Sequence, residues 1–248
     1  MSALHSYEFA LETADGVMPT FVTWPKSGEG PFPAVIFYMD APSIREELRN
    51  MSRHIAEQGY VVLLPDLYYR VGTIRFDRDG LHKGPQFMAV MRACRDSISN
   101  AATMDDTRAL LSYIDNIPQA KPGPVGCVGY CMTGRSVVTA MATFPDRLAA
   151  GVSLYGTQIV TDEADSPHLI VDRIKGEMYL GFAEEDSYVP DNVIPDLTAA
   201  LEKTDVNYTL KIFPGTEHGF CFAERSQYHE PSAKEVWDKM FDLFKRNL

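Results

Sequence analysis

The middle of the chain reads Pro124-Val125-Gly126-Cys127-Val128-Gly129-Tyr130-Cys131-Met132-Thr133-Gly134-Arg135. An apolar strand is predicted to end here in a Gly-x-Cys-x-Thr turn, and a helix is predicted to follow. This is the layout of a nucleophile elbow, in which the nucleophile has a strained backbone conformation at a tight strand-to-helix turn. Such a turn requires small residues two positions before and after the nucleophile. Gly129 and Thr133 occupy those positions around Cys131.

The helix after Cys131 would direct its free N–H groups and its positive dipole end toward the turn. That arrangement favours a thiolate and can bind a developing oxyanion. The Gly-x-Cys-x-Thr motif is short and degenerate, so the alternative interpretation is that Cys131 is a buried structural cysteine in a strand. Two downstream segments favour the nucleophile.

Candidates for an acid and a base follow two later strands. Residues 177–183 are mostly apolar and predict a buried strand, and the charged loop after them contains Asp186. Residues 206–213 alternate apolar and polar side chains, as in a half-buried edge strand, and the loop after them contains His218. The order nucleophile, acid, histidine, each after a strand, is the order of α/β-hydrolases.

Strands alternate with helical stretches along the chain, which predicts a mostly parallel central sheet with helices on both faces. Residues 7–11 and 20–24 predict an antiparallel pair around a turn at Asp15. Residues 34–38 form a continuous apolar run, as expected for a buried strand. Further strands are predicted at 60–64 and 149–155, and helices at 46–58, 105–116, 132–143, 193–203 and 233–246.

Four parts of the chain resemble the dienelactone hydrolase family. They are Gly129-Tyr130-Cys131, residues 186–190, the run from Phe213 to His218, and residues 59–68. The resemblance extends from about Phe32 to the C-terminus. Its cysteine elbow is the most specific part, since most α/β-hydrolases have serine there. The resemblance implies an α/β-hydrolase fold and hydrolysis of a small ester or lactone, without a metal or an organic cofactor.

The resemblance also implies roles for individual residues. Carried over by position, Cys131 is the nucleophile, His218 is the general base and acid, and Asp186 orients His218. The backbone N–H groups of Ala41 and Met132 would form the oxyanion hole. These roles imply a thioester acyl-enzyme that water then hydrolyses.

Two departures from the family pattern affect its finer properties. Asp40 falls where the family has a glutamate that contacts the resting cysteine, so Asp40 is a candidate for gating the thiol. Its side chain is one methylene shorter, and the competing interpretation is a turn residue before Pro42. Gly219 and Phe222 stand where the family has a serine and an arginine that help to hold a substrate carboxylate, with Arg225 further on. Recognition of a carboxylate must therefore come from elsewhere.

Composition and charge limit the classes of function. The 248 residues, 45% of them hydrophobic, predict one α/β-hydrolase domain over residues 1–248. A formal net charge of -11 argues against nucleic acid or an anionic membrane as partner. Neither a signal peptide nor a membrane-spanning run is indicated, so we expect a cytoplasmic enzyme whose partner is a small ester or lactone. The alternative is a non-catalytic α/β-hydrolase-fold protein that binds a small molecule.

Residues 67–102 form the least regular part of the chain, and they are locally basic within an acidic protein. One interpretation is a solvated loop, and the other is a rim that attracts an anionic substrate. The basic residues of this segment are Arg70, Arg75, Arg78, Lys83, Arg92 and Arg95.

The remaining titratable residues are weaker candidates. Glu184 and Glu185 could replace Asp186 as the acid, although adjacent charges in a loop are usually solvated. The other histidines lack the paired spacing of metal ligands, so we expect no metal site. They are His5, His54, His82, His168 and His229.

Overall fold

The structure, a computed structural model, describes residues 3–28, 30–76 and 84–248. The chain divides into two compact units, unit 1 over Met1–Lys121 and unit 2 over Pro122–Leu248. The expectation of one domain over residues 1–248 stays a prediction.

Unit 1 is built on four strands, of which the last three are buried along most of their length. The strands are β1 (Leu4–Thr13), β2 (Gly16–Pro25), β3 (Phe32–Tyr38) and β4 (Val61–Pro65), and they lie in the order β1-β2-β4-β3. β1 and β2 form the predicted antiparallel hairpin, in which Thr13 pairs with Gly16, while β3 runs parallel to β4. The apolar runs of β3 and β4 fit strands that are covered on both faces.

Three helices of unit 1 are described, and their ends follow local rules. They are α1 (Glu46–Glu57), α2 (Pro85–Asp96) and α3 (Asn100–Asn116). α1 confirms the predicted helix and stops before Gly59, which has a positive φ of 97°. α3 begins well before the predicted residue 105, because the Ser99 hydroxyl caps it by accepting a 3.0 Å hydrogen bond from the Ala102 N–H. α2 lies within the segment that the sequence indicated as irregular.

Unit 2 is built on parallel strands that alternate with helices. The strands are β5 (Ala120–Tyr130), β6 (Leu148–Leu154), β7 (Glu177–Glu185) and β8 (Tyr208–Glu217), and the helices are α4 (Gly134–Thr143), α5 (Val193–Leu201) and α6 (Glu230–Asn247). The strands pair in the order β5-β6-β7-β8, each parallel to the next. Parallel strands place their carboxyl ends at one edge of the sheet, which is where ligands bind in open α/β folds.

These elements confirm the predicted α/β class and the mostly parallel sheet with intervening helices. They also confirm that β8 is an edge strand. β8 nevertheless continues to Glu217, whereas the alternating pattern predicted an end at residue 213. Among the described residues, no helix combines the length and the hydrophobicity that a bilayer span requires.

Arg70 and Arg75, two basic residues of the segment 67–102, are paired with buried carboxylates, whereas Arg95 pairs with the exposed Asp96. Arg70 donates to both oxygens of Asp106, with distances of 2.8 and 2.9 Å. Arg75 donates to Asp66 with a distance of 2.6 Å. Both carboxylates are almost completely buried, so each arginine compensates a charge inside unit 1. This favours a structural role over a rim for an anionic substrate. Arg78, His82 and Lys83 lie outside the described residues.

We expect Asp106→Asn to lower the free energy of unfolding by about 3 kcal/mol, because it removes the buried carboxylate that pairs with Arg70 and leaves the guanidinium to pair with the exposed Asp15. Urea denaturation measures the loss. Asp105→Asn is a matched control, since Asp105 is an exposed neighbour whose pair with Arg108 lies at the surface and contributes less than about 1 kcal/mol. Equal losses in the two variants would contradict this assignment.

Candidate active site

Cys131 follows β5 directly and has a left-handed backbone conformation, with a φ of 56°. Cys131–Thr133 form one 3-10 turn, and α4 begins immediately afterwards at Gly134. A non-glycine residue in this conformation costs about 1 kcal/mol and persists where the surrounding structure holds it. The strand, tight turn and helix predicted from the sequence are therefore present, with Cys131 at the tip of the turn.

Close backbone contacts explain why small residues surround the turn. A β-carbon added at Gly129 would lie 2.5 Å from the carbonyl oxygen of Thr133, and one added at Gly134 would overlap the Cα of Gly156. The Thr133 hydroxyl donates to the Tyr130 carbonyl at 3.1 Å and accepts from the Tyr130 N–H at 3.2 Å. The turn is thus closed by hydrogen bonds and by backbone packing that excludes larger residues.

Asp186 and His218 follow β7 and β8 and meet at the carboxyl edge of unit 2. The His218 Nδ1 donates to Asp186 Oδ2 with a distance of 2.7 Å. The other carboxylate oxygen accepts the Tyr188 N–H at 2.9 Å. Both side chains are nearly buried, with 9% of His218 and 5% of Asp186 exposed. Two separate hydrogen bonds therefore hold the carboxylate, and one of them sets the orientation of the imidazole.

The charges around His218 change its acidity. Burial lowers the pKa of the ring, but the Cys131 sulfur and the Asp186 carboxylate raise it more strongly, so that the pKa of His218 is about 9 instead of 6.5. Among the described residues, no partner forms a hydrogen bond of ordinary geometry with the buried Nε2 atom. Nε2 is the ring nitrogen that remains for proton exchange.

Two tyrosines pack against the His218 ring. The ring centroid of Tyr155 lies 5.0 Å from that of His218, and the centroid of Tyr188 lies 4.7 Å away. Tyr155 is buried and follows β6, with an unusual φ of 37°, whereas Tyr188 is about half exposed. Sequence reasoning did not single out either residue. The available signal for Tyr155 was its position directly after a parallel strand, at the edge where Cys131 also lies.

Asp186 is the carboxylate of its loop that contacts the histidine. Glu184 instead accepts a hydrogen bond from the N–H of Gly215, with a distance of 2.7 Å. Glu185 is exposed and belongs to the end of β7. The geometry therefore favours Asp186 over its two neighbours as the residue that orients His218.

The loop after His218 explains why position 219 is a glycine, where the family pattern has a serine. A β-carbon at Gly219, which has a φ of 90°, would overlap the guanidinium of Arg225. That guanidinium lies 4.3 Å from the centroid of the Phe222 ring. Arg225 therefore fills the space that a side chain at position 219 would need.

Asp40 and Ala41 lie in unit 1, two and three residues after the end of β3. Asp40 is fully buried, and Arg45 donates to its two oxygens at 2.5 and 3.2 Å. The Asp40 carbonyl accepts the Ser43 N–H at 3.0 Å, as in a turn, and the Ala41 carbonyl accepts the Tyr68 hydroxyl at 2.9 Å. The turn interpretation of Asp40 is therefore supported, and the gating role stays a prediction.

The four cysteines, all within the described residues, are free thiols that differ in exposure. Cys131 is partly exposed, whereas Cys94, Cys127 and Cys221 are buried. Burial raises the pKa of each of these three thiols. Rapid reaction with a thiol reagent is therefore expected at Cys131.

Comparisons with known proteins identify the family. The model of the dienelactone hydrolase family matches residues 18–248. A Synechocystis sp. protein named as a carboxymethylenebutenolidase is 30% identical over 224 residues, which make up 88% of each chain. A protein of the same name from Escherichia coli K12 is 24% identical over 237 residues, 92% of this chain and 82% of that protein.

Solved structures have the same fold. A crystal structure named as a dienelactone hydrolase, from Klebsiella pneumoniae, has a TM-score of 0.86 at 24% identity, covering 98% of this chain and 99% of its own. The acylaminoacyl peptidase of Pyrococcus horikoshii has a TM-score of 0.73 at 15% identity, covering 100% of this chain and 42% of its own. The fold is therefore that of the α/β-hydrolases. Within that class, the chain belongs to the dienelactone hydrolase family, and it is a hydrolase of ester or lactone substrates.

We expect Gly129→Ala to lower the free energy of unfolding by about 2 kcal/mol, because the new methyl group would overlap the Thr133 carbonyl and displace the turn. The displacement should also reduce hydrolysis of an aryl ester. Thermal denaturation and initial rates measure the two effects. Gly84→Ala is the control, since the contact of its methyl group among the described residues would be with the flexible Gln86 side chain, 3.3 Å away. Wild-type stability of Gly129→Ala would contradict the overlap.

We expect the His218 ring to titrate near pH 9 in NMR spectra of the folded protein. Because this pKa is raised, the protonated ring stabilises the fold fully below about pH 6.5. That contribution is lost as the pH rises through about 9. Cys131→Ala removes the sulfur, so its titration midpoint should be lower, whereas the buried-thiol control Cys94→Ala should titrate like the wild type. The same midpoint in Cys131→Ala and the wild type would rule out the sulfur as a cause.

Proposed function

We propose that the protein hydrolyses a small ester or lactone through a Cys131-His218-Asp186 triad and an acyl-enzyme intermediate. The observation that carries the proposal is the His218 ring, which hydrogen-bonds Asp186 at 2.7 Å and has its pKa raised by the Cys131 sulfur. A cysteine at the tip of a strained strand-to-helix turn supports the same assignment, since such turns present nucleophiles.

In the proposed first step, the sulfur of Cys131 attacks the acyl carbonyl carbon as a thiolate, while His218 holds the proton. A C–S bond forms, and the carbonyl oxygen becomes an oxyanion. By family resemblance, the N–H groups of Ala41 and Met132 stabilise that oxyanion. Collapse of the intermediate breaks the C–O bond, and His218 gives its proton to the departing oxygen. With a lactone, the departing hydroxyl remains attached to the acyl group.

In the second step, water hydrolyses the thioester. His218 has lost its proton to the leaving group, so its Nε2 can accept a proton from water as the oxygen attacks the acyl carbon. The C–S bond breaks and the carboxylic acid product leaves, which restores the thiolate of Cys131 and the protonated His218 of the first step. Asp186 holds the Nδ1–H of the ring throughout, so that Nε2 exchanges the proton in both steps.

Asp40 enters the proposal as a candidate gate of the resting thiol, on the basis of the family resemblance. A carboxylate beside the sulfur would disfavour the thiolate until substrate arrives. The ion pair with Arg45 compensates the charge of Asp40 and would weaken that influence. We therefore expect a weaker gating effect than an uncompensated carboxylate would produce.

We expect Cys131→Ala to lower kcat for the best substrate by roughly a thousandfold or more, because the acyl-enzyme requires the sulfur. A screen of small lactones and aryl esters against the purified protein first selects that substrate. Mass spectrometry of the quenched wild type should then detect the acyl group on Cys131. Cys94→Ala removes a buried thiol elsewhere and should retain wild-type turnover. Unchanged turnover in Cys131→Ala would exclude the mechanism.

A further inference from the structure

The pairing of β7 with β8 is interrupted just before the candidate active site. Ala183 pairs with Phe213, and the pairing resumes with Glu185 opposite Glu217. Glu184 alone therefore lies opposite residues 214–216. This is a β-bulge on β8, and bulges near active sites redirect the side chains that follow them.

The bulge decides which residue of β8 lies beside Asp186. Continuing the register of Ala183 and Phe213 would place Thr216 beside Asp186. The resumed register instead brings His218 to that position, where its ring forms the 2.7 Å hydrogen bond. Two residues of a strand span about 7 Å, and a shift of two residues keeps the side chain on the same face. The triad geometry therefore depends on the bulge.

Two side-chain hydrogen bonds hold the bulge. Glu184 Oε2 accepts the N–H of Gly215 at 2.7 Å, which ties β7 to the bulge across the strands. The buried Thr216 hydroxyl donates to the Phe213 carbonyl at 2.7 Å, which closes the bulge within β8. Gly215 has a φ of 69°, a conformation that glycine adopts without strain. Pro214 lacks a backbone N–H group, so the interruption of the ladder leaves no unpaired donor at this position.

We propose that Glu184 and Thr216 are positioning residues that clamp the β8 bulge and so hold His218 in register with Asp186. This inference rests on the proposed triad. Neither residue needs to touch the substrate. Glu184 is exposed, so its loss should change the alignment of His218 more than the overall stability of the fold. Misplacement of a catalytic group by about 1 Å can reduce turnover by as much as a hundredfold.

The test compares Glu184→Ala, which removes the acceptor, with Glu184→Gln, which keeps an acceptor oxygen. Glu185→Ala is the matched control, because Glu185 is the next residue of the same strand and is also exposed. We expect Glu184→Ala to lower kcat about tenfold with little change in KM. The NMR titration midpoint of His218 should also fall, because the contribution of Asp186 weakens. Glu184→Gln should recover most of both properties, and Glu185→Ala should match the wild type.

Wild-type kcat and a wild-type His218 titration in folded Glu184→Ala would overturn the inference, as would equal losses in Glu184→Ala and Glu185→Ala. If Glu184→Ala does not fold, Thr216→Val and Thr216→Ser decide the question. Loss of kcat in the valine variant and its retention in the serine variant support the clamp, and equal kcat values overturn it. The NMR readout needs no turnover. Suppose that the His218 titration is shifted in Glu184→Ala and that Cys131→Ala still hydrolyses the substrate. These two results together would reject the proposed function but keep the positioning role of Glu184.

Discussion

The left-handed backbone at Cys131 is the constraint on which the rest of the site depends. Gly129 packs against the Thr133 carbonyl and Gly134 packs against Gly156, so neither position has room for a side chain, and the chain turns within three residues, Cys131–Thr133. The turn brings the sulfur to the carboxyl edge of unit 2. The ends of β7 and β8 lie at that same edge, which is why an acid and a histidine placed after those strands can meet there.

Electrostatics at this edge are set by competing influences. Burial disfavours the charged imidazole, but the neighbouring Cys131 sulfur and Asp186 carboxylate outweigh it and raise the pKa of His218. A ring with this preference holds a proton while the sulfur is negative. In the proposed mechanism, it gives up that proton when the charge of the sulfur is lost in a thioester. The acid and base roles of His218 would then follow from the charge of its neighbour at each stage, without movement of the ring.

Local patterns in the sequence predicted the features that depend on local physics. The antiparallel hairpin of β1 and β2, the elbow, and the placement of Asp186 and His218 after strands all follow from apolar periodicity and turn residues. Features that depend on distant partners were missed. In the sequence, the Pro214-Gly215 pair indicates a loop, so the end of β8 was predicted at residue 213. In the structure β8 continues to Glu217, because its pairing with β7 resumes there. The ion pair of Arg70 with Asp106 and the packing of Tyr155 on His218 likewise join residues that only the folded chain brings together.

The β8 bulge also affects how the protein behaves among copies of itself. β8 is the edge strand of its sheet and carries the exposed Ile212, so a regular β8 would offer an unpaired row of backbone groups to another chain. The positive φ of Gly215 bends the strand out of line and so interrupts that row. The irregularity that aligns the histidine thus also blunts an edge that would otherwise promote aggregation.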